Sequence, residues 1–230
     1  MFPPMSPLSV LLLVAAAGLA IFSLLHLRAA YIVFRGAARR RPRNVSHERR
    51  QPQASLAPLL GALTLLGFRR FGEVELVTPD MSLLGPLTGR QAGHTVWLLL
   101  DEPETTLAEV VEMGPMLSLE TWLADDTIIH TTYPVGEDID VPGWRATTVG
   151  GSPAEAYEHH RRMIDGRSAV APPVGVHSMG EYLRHDASYR ERFATLFLRR
   201  GFLQGPALSS LFMLVLAGGL AAAALLGWTQ

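Results

Sequence analysis

The chain contains no cysteine. Disulfides, zinc–thiolate centres and thiol catalysis are excluded with it. It also contains no lysine, and all 20 of its basic side chains are arginines. That removes a Schiff-base lysine, a phosphate-loop lysine and a kinase-type lysine. GC-rich coding accounts for such usage, and the weakly hydrated, rigid guanidinium also suits a membrane surface. The sequence has no Rossmann glycine fingerprint and no phosphate loop. Gly150-Gly151 before Ser152 reads only as a strand-to-helix turn. There is no internal repeat, and the only biased stretch is the arginine cluster 39–43.

The formal net charge of −1 hides a partition along the chain. Residues 28–72 hold ten arginines against Glu48 alone, a balance of +9. Residues 73–165 hold seventeen carboxylates against four arginines, a balance of −13, and residues 166–200 hold six arginines against three carboxylates, +3. An acidic middle is bracketed by basic segments, and each basic segment abuts an apolar run.

Pro7–Leu27 carries no charge and only Ser9, Ser23 and His26 as polar interruptions. Ala207–Trp228 is a second uncharged run. About twenty helical residues cross the hydrocarbon core of a bilayer, and only a helix satisfies its backbone there. The first six residues lack the basic charge of a signal-peptide n-region, which argues against cleavage. Eight arginines follow the first run between Arg28 and Arg50, and four precede the second between Arg190 and Arg200. The positive-inside rule then places the middle in the cytoplasm and both termini outside. Small residues, Gly219, Ala223 and Gly227 in one run and Ala16 and Ala20 in the other, suggest close helix packing. Residues 51–68 are uncharged but short for a span. Leu56, Leu59, Leu60, Leu63 and Leu66 share one helical face, as an interfacial or a domain-packing helix requires.

The expected fold class is α+β: a small antiparallel sheet of about six strands with one or two packing helices, flanked by two transmembrane helices. Strands are expected at 73–78, 95–100, 106–112, 116–123, 127–133 and 144–149, where Thr, Val, Ile and Trp are frequent. Asp101–Glu104 and Ala124–Asp126 carry hairpin-turn chemistry. A helix follows with Ser152 as N-cap, Pro153 at its first position and Glu155 closing a capping box. Ala156, Met163 and His159 or His160 face inward. A last soluble helix from about Glu181 to Arg200 has an apolar stripe flanked by arginines, fitting either the membrane surface or the sheet. The organisation expected is a membrane helix over 1–27, an arginine-rich juxtamembrane segment with an amphipathic helix over 28–72, a cytoplasmic domain over 73–200 and a second membrane helix over 201–230.

Chemical signals are sparse. Val176-His177-Ser178-Met179-Gly180 resembles the nucleophile elbow of α/β-hydrolases, Gly-x-Ser-x-Gly. Val176 replaces the first glycine, however, and no acid and histidine can follow on later strands. The alternative role for Ser178 is the N-cap of the next helix. Glu155 and His159, four apart on one helix, with His130 on a strand, are the candidate metal ligands. Glu137, Asp138 and Asp140 form an acidic loop without calcium-loop spacing. Lipid contact is expected of Arg35, Arg39, Arg40, Arg41, Arg43, Arg199 and Arg200, because anionic head groups are nearer than nucleic acid to arginines beside a span.

The leading expectation is a non-enzymatic, membrane-anchored accessory or scaffolding protein that presents an acidic α+β domain to a protein partner and uses no cofactor. Its partners would be membrane lipids and a membrane complex, or copies of itself through the spans, with no nucleic acid. The rivals are a lipid- or small-ligand-binding module at the membrane surface and a metal-dependent enzyme.

Overall fold

The computed structural model describes residues 6–37, 42–48, 50–79, 91–112, 116–198 and 206–228. Two compact units emerge: residues 1–40, 78–92 and 188–230 form one, and residues 41–77 and 93–187 the other.

The first unit contains two helices long and apolar enough to cross a membrane, within α1 (Pro7–Ala37) and α5 (Pro206–Trp228). They pack on each other. The buried face of α1 repeats every seven residues at Ser9, Ala16, Ser23 and Ala30, and that of α5 at Ser210, Ala217 and Ala224. One small residue every two turns keeps a single seam facing the partner and lets the backbones approach. His26 Nδ1 and Ser210 Oγ lie 3.1 Å apart. Ser9 and Ala224, at the far ends, are both buried, so the helices run antiparallel. The seam differs from the small-residue face expected in α5. Gly219 and Ala223 are exposed, because the seven-residue period selects Ala217 and Ala224 instead.

The second unit is a sheet with helices. Its strands are β1 (Arg43–Asn44), β2 (Arg69–Pro79), β3 (Gln91–Leu100), β4 (Leu107–Val111), β5 (Met116–Leu123), β6 (Ile128–Tyr133), β7 (Ile139–Val141), β8 (Trp144–Thr148) and β9 (Pro173–Val174). The order is β1-β2-β3-β4-β5-β6-β8-β7, with β9 on β5. The α+β class stands, but the sheet has nine strands rather than about six, and it is mixed rather than antiparallel. The additions β1, β7 and β9 are two or three residues long, too short to carry a period of two. The parallel pair is β6 with β8. It arises because β7 and β8 form a hairpin across Pro142-Gly143, with Gly143 at φ 82°, and the hairpin docks by its second strand.

Helix α2 (Ala57–Leu65) ends at Gly67, whose φ of 88° provides the left-handed residue of a Schellman cap. Gly67 N–H donates to Thr64 O at 3.1 Å and Phe68 N–H to Leu63 O at 3.0 Å. Leu56, Leu59, Leu63 and Phe68 join Trp97, Leu99, Ala108, Val110, Leu117, Leu119 and Ala156 in one core cluster, with Leu60 and Leu66 packed against it. The leucine face of α2 therefore packs on the domain. Residues 41–72, set apart by charge as juxtamembrane, supply β1, α2 and the start of β2 to this unit.

Helix α3 (Pro153–Ser168) lies on the same sheet face as α2 and starts in a complete capping box. Glu155 N–H donates to Ser152 Oγ at 3.2 Å, and Ser152 N–H to the Glu155 carboxylate at 3.0 Å. Helix α4 (Met179–Leu198) begins where Glu181 N–H donates to Ser178 Oγ at 3.2 Å. Ser178 thus caps a helix rather than crowning an elbow. A side chain at Gly72 would meet the Met179 terminal methyl and the Ser46 hydroxyl, which is held in place by Glu73 N–H at 2.9 Å.

Candidate functional site

The β3–β4 hairpin turns at Asp101, whose Oδ1 accepts the N–H groups of Thr105 and Thr106, each at 2.9 Å. Glu104 takes the left-handed position of this turn, at φ 60°. Opposite the turn stands α3, with Tyr157 packed against the edge of the core cluster. The Tyr157 hydroxyl donates to Asp101 Oδ2 at 3.2 Å. Burial, with the charge of Asp101 beside it, pushes the Tyr157 phenol up to about 12, so it stays a protonated donor at neutral pH. Between hairpin and helix lies a cleft of about 420 Å³. Its polar lining includes Asp101, Glu102, Thr105, Tyr157, Arg161 and Asp165, and its apolar lining Leu66, Pro103, Ile164 and Pro173. That volume is in the range of small-molecule sites, roughly 300–1,000 Å³.

Behind the cleft a polar chain enters the core. The Thr121 hydroxyl donates to Thr105 O at 3.1 Å. Having spent its proton, Thr121 Oγ1 accepts from His160 Nε2, 3.0 Å away. His160 Nδ1, left as the acceptor, takes the hydroxyl proton of Thr131 across 2.9 Å. The order of donors selects the neutral Nε2–H tautomer. His160 is completely buried. Burial first, then the neighbouring His130 and His159, lowers its pKa to about 3. The ring is a satisfied core histidine in the stripe Ala156, His160, Ile164.

The opposite sheet face carries Glu109, Ser118, Glu120 and His130, brought side by side by the registers Glu109↔Ser118 and Glu120↔His130. Ser118 Oγ is hydrogen-bonded to His130 Nε2. Glu120 also approaches Nε2, at 3.8 Å, while Nδ1 is buried without a hydrogen-bond partner. A nucleophilic serine needs its histidine oriented through the other ring nitrogen. With both neighbours on Nε2, this pair lacks the arrangement. Burial lowers the His130 pKa to about 4. Tyr182, from the first turn of α4, donates to Glu109 at 2.7 Å and is buried, which holds its phenol well above the ordinary range.

The expected metal ligands are not brought together. Glu155 is engaged in the capping box, His159 is half-buried on α3, and His130 lies on the sheet face bearing Ser118. Among the described residues no three His, Asp or Glu side chains converge as metal ligands. In the acidic loop, Asp138 accepts Thr148 N–H at 2.7 Å and Asp140 pairs with Arg145 at 3.1 Å. Of the arginines expected at lipid, Arg39, Arg40, Arg41, Arg199 and Arg200 lie outside the described residues. Arg35 belongs to the last turn of α1. Arg43 lies on β1 and pairs with Glu75 at 2.7 Å.

Other basic side chains near the start of this unit are likewise ion-paired. Arg50 pairs with Glu48 at 2.6 Å and with Glu75 at 3.3 Å, Arg69 with Glu104, and Arg70 with Glu73. Sequence patterning did not single out the cleft residues Asp101, Tyr157 and Arg161. The one available signal was Asp101 opening a turn, which a structural role explains equally well. Compared with protein-family models, curated proteins and solved structures, the chain matches none.

Proposed function

We propose that the chain is a membrane-anchored, non-enzymatic accessory or scaffolding protein whose acidic domain faces the cytoplasm and docks a basic protein partner. The observation that carries this reading is the charge left on the sheet unit. Residues 41–77 and 93–187 hold nineteen carboxylates against eleven arginines, a balance of −8. Arg43, Arg50, Arg69 and Arg70 are ion-paired within the unit to Glu73, Glu75 and Glu104, so acid and base cancel there and the acidic excess lies on the other carboxylates. Glu102, Glu137, Asp138, Asp140, Glu158 and Asp165 are exposed. Such a surface steers a basic partner and repels nucleic acid. The packed helix pair supplies the anchor, and the flanking arginines supply its orientation.

The test has two parts. A reporter fused after Gln230 should read the exterior, and one inserted at Gly150–Gly151 the cytoplasm; the reverse pattern defeats the orientation. A partner co-eluting from solubilised membranes should be lost at high salt and in the triple variant Glu102→Gln, Glu137→Gln, Glu158→Gln. Retention under both conditions defeats acidic docking. A second reading, a small-ligand module at the membrane surface, is favoured by the cleft between α3 and the β3–β4 hairpin.

A further inference from the structure

The cleft holds four charged groups. Asp101 forms its floor, and Glu102, Arg161 and Asp165 stand at its rim. Asp101 is only 2% exposed and is occupied by Thr105, Thr106 and Tyr157. The other three are exposed.

Arg161 is, with Arg184, one of two described arginines of the unit without an ion pair. Arg43, Arg50, Arg69, Arg70, Arg145, Arg162 and Arg167 each form an ion pair. Arg161 forms none among the described residues, although Asp165 sits four positions on along the same helix. On that helix Arg162 does close a pair, with Glu158 four positions before it, at 3.4 Å. The contrast has a physical cause. An acid preceding a base by four residues pairs well, and the reverse order pairs poorly. Arg161 precedes Asp165, so a guanidinium and a carboxylate stand on one helix face, one turn apart, without neutralising each other.

The remaining walls sort by polarity. Leu66, Pro103, Ile164 and Pro173 make an apolar side. The Tyr157 oxygen, its proton directed to Asp101, presents lone pairs as an acceptor. The cleft therefore offers one cationic fork, an excess of acceptors and an apolar wall. A simple anion would meet three carboxylates, and a simple amine would leave Arg161 unused.

We propose that this cleft binds an α-amino-acid-type zwitterion with an apolar side chain. Its carboxylate lies on Arg161, its ammonium between Asp165 and Glu102, and its side chain against Leu66 and Ile164. This rests on the second reading, the small-ligand module, and names its ligand; it is independent of the scaffolding reading, since the cleft lies wholly within the sheet unit.

The experiment uses the full chain in lipid nanodiscs and three probes: leucine, leucinamide, which lacks the carboxylate, and 4-methylpentanoate, which lacks the ammonium. Calorimetry should show saturable binding of leucine, with each half-ligand weaker by about tenfold, the scale of one lost charge-assisted interaction. In Arg161→Gln, leucine should fall to the affinity of leucinamide. In Asp165→Asn, it should fall toward that of 4-methylpentanoate. Both side chains are exposed, so the variants should keep the wild-type melt, which is measured alongside. Absence of saturable leucine binding overturns the proposal, as does leucine binding that Arg161→Gln leaves unchanged. Equal binding of leucine and leucinamide by the wild type also overturns it.

Discussion

Thr131 donates its hydroxyl proton to His160 Nδ1 across 2.9 Å in the interior between sheet and α3. The bond requires a neutral imidazole, and this makes the domain acid-sensitive. His160 and His130 keep pKa values of about 3 and about 4 when folded, against 6.5 ordinarily. Below pH 6.5 the unfolded chain takes up protons that the folded chain refuses. Stability is therefore full above about pH 6.5 and is lost as pH falls toward 4, by up to about 1.4 kcal/mol per pH unit for each histidine. Urea unfolding of the solubilised protein at pH 7.5, 6 and 5, followed by tryptophan fluorescence, should show this loss. His160→Gln, which can keep one donor and one acceptor, should remove about half of the slope and leave the share of His130. A wild-type profile level from pH 7.5 to 5 would contradict the assignment.

The helix pair can be tested by cross-linking, since the chain has no cysteine of its own. His26→Cys with Ser210→Cys places one thiol on each side of the 3.1 Å contact, and a short bifunctional thiol reagent should join them within one chain. Adding Ala217→Leu, at a position only 5% exposed, should wedge the helices apart and sharply lower the yield. A Gly219→Leu control, on an exposed face, should leave the yield intact.

The capping box of α3 sets a third expectation. Ser152→Ala removes the oxygen that accepts Glu155 N–H and should cost about 1 kcal/mol. Glu155→Gln keeps an acceptor for Ser152 N–H and should cost less. Thermal melts of both variants with and without chelator decide whether Glu155 is purely structural. A wild-type melt that shifts with chelator, and does so no longer in Glu155→Gln, would restore the metal-ligand reading.

Lipid binding should divide the arginines. Neutralising Arg39, Arg40 and Arg41 to Gln should weaken preference for vesicles containing phosphatidylserine by about 1 kcal/mol per residue. Arg43→Gln should change vesicle binding less, because its guanidinium is already committed to Glu75 and Glu48. Equal effects at all four positions would show that this ion pair does not hold on the membrane.

Length and polarity alone determined the two apolar helices, since a run of that kind has few other stable states. The α3 start was equally legible, because Ser152, Pro153 and Glu155 act on atoms within one turn. The core role of α2 was readable as one of two alternatives, as the same leucine face suits a bilayer surface or a sheet. Short strands were not legible. Arg43–Asn44 becomes β1 only because Val74 and Glu75 pass beside it, and Ile139–Val141 becomes β7 only by pairing with β8. The heptad seam also needed the partner helix, which decides whether Ala217 or Gly219 faces inward. Tertiary structure alone decided the cleft. Asp101, Tyr157 and Arg161 are spread over two elements, and what makes them a site is that the hairpin turns beneath α3. Sequence spacing records contacts made within a turn of helix or a strand pair, and contacts closed by a distant segment leave no period to read.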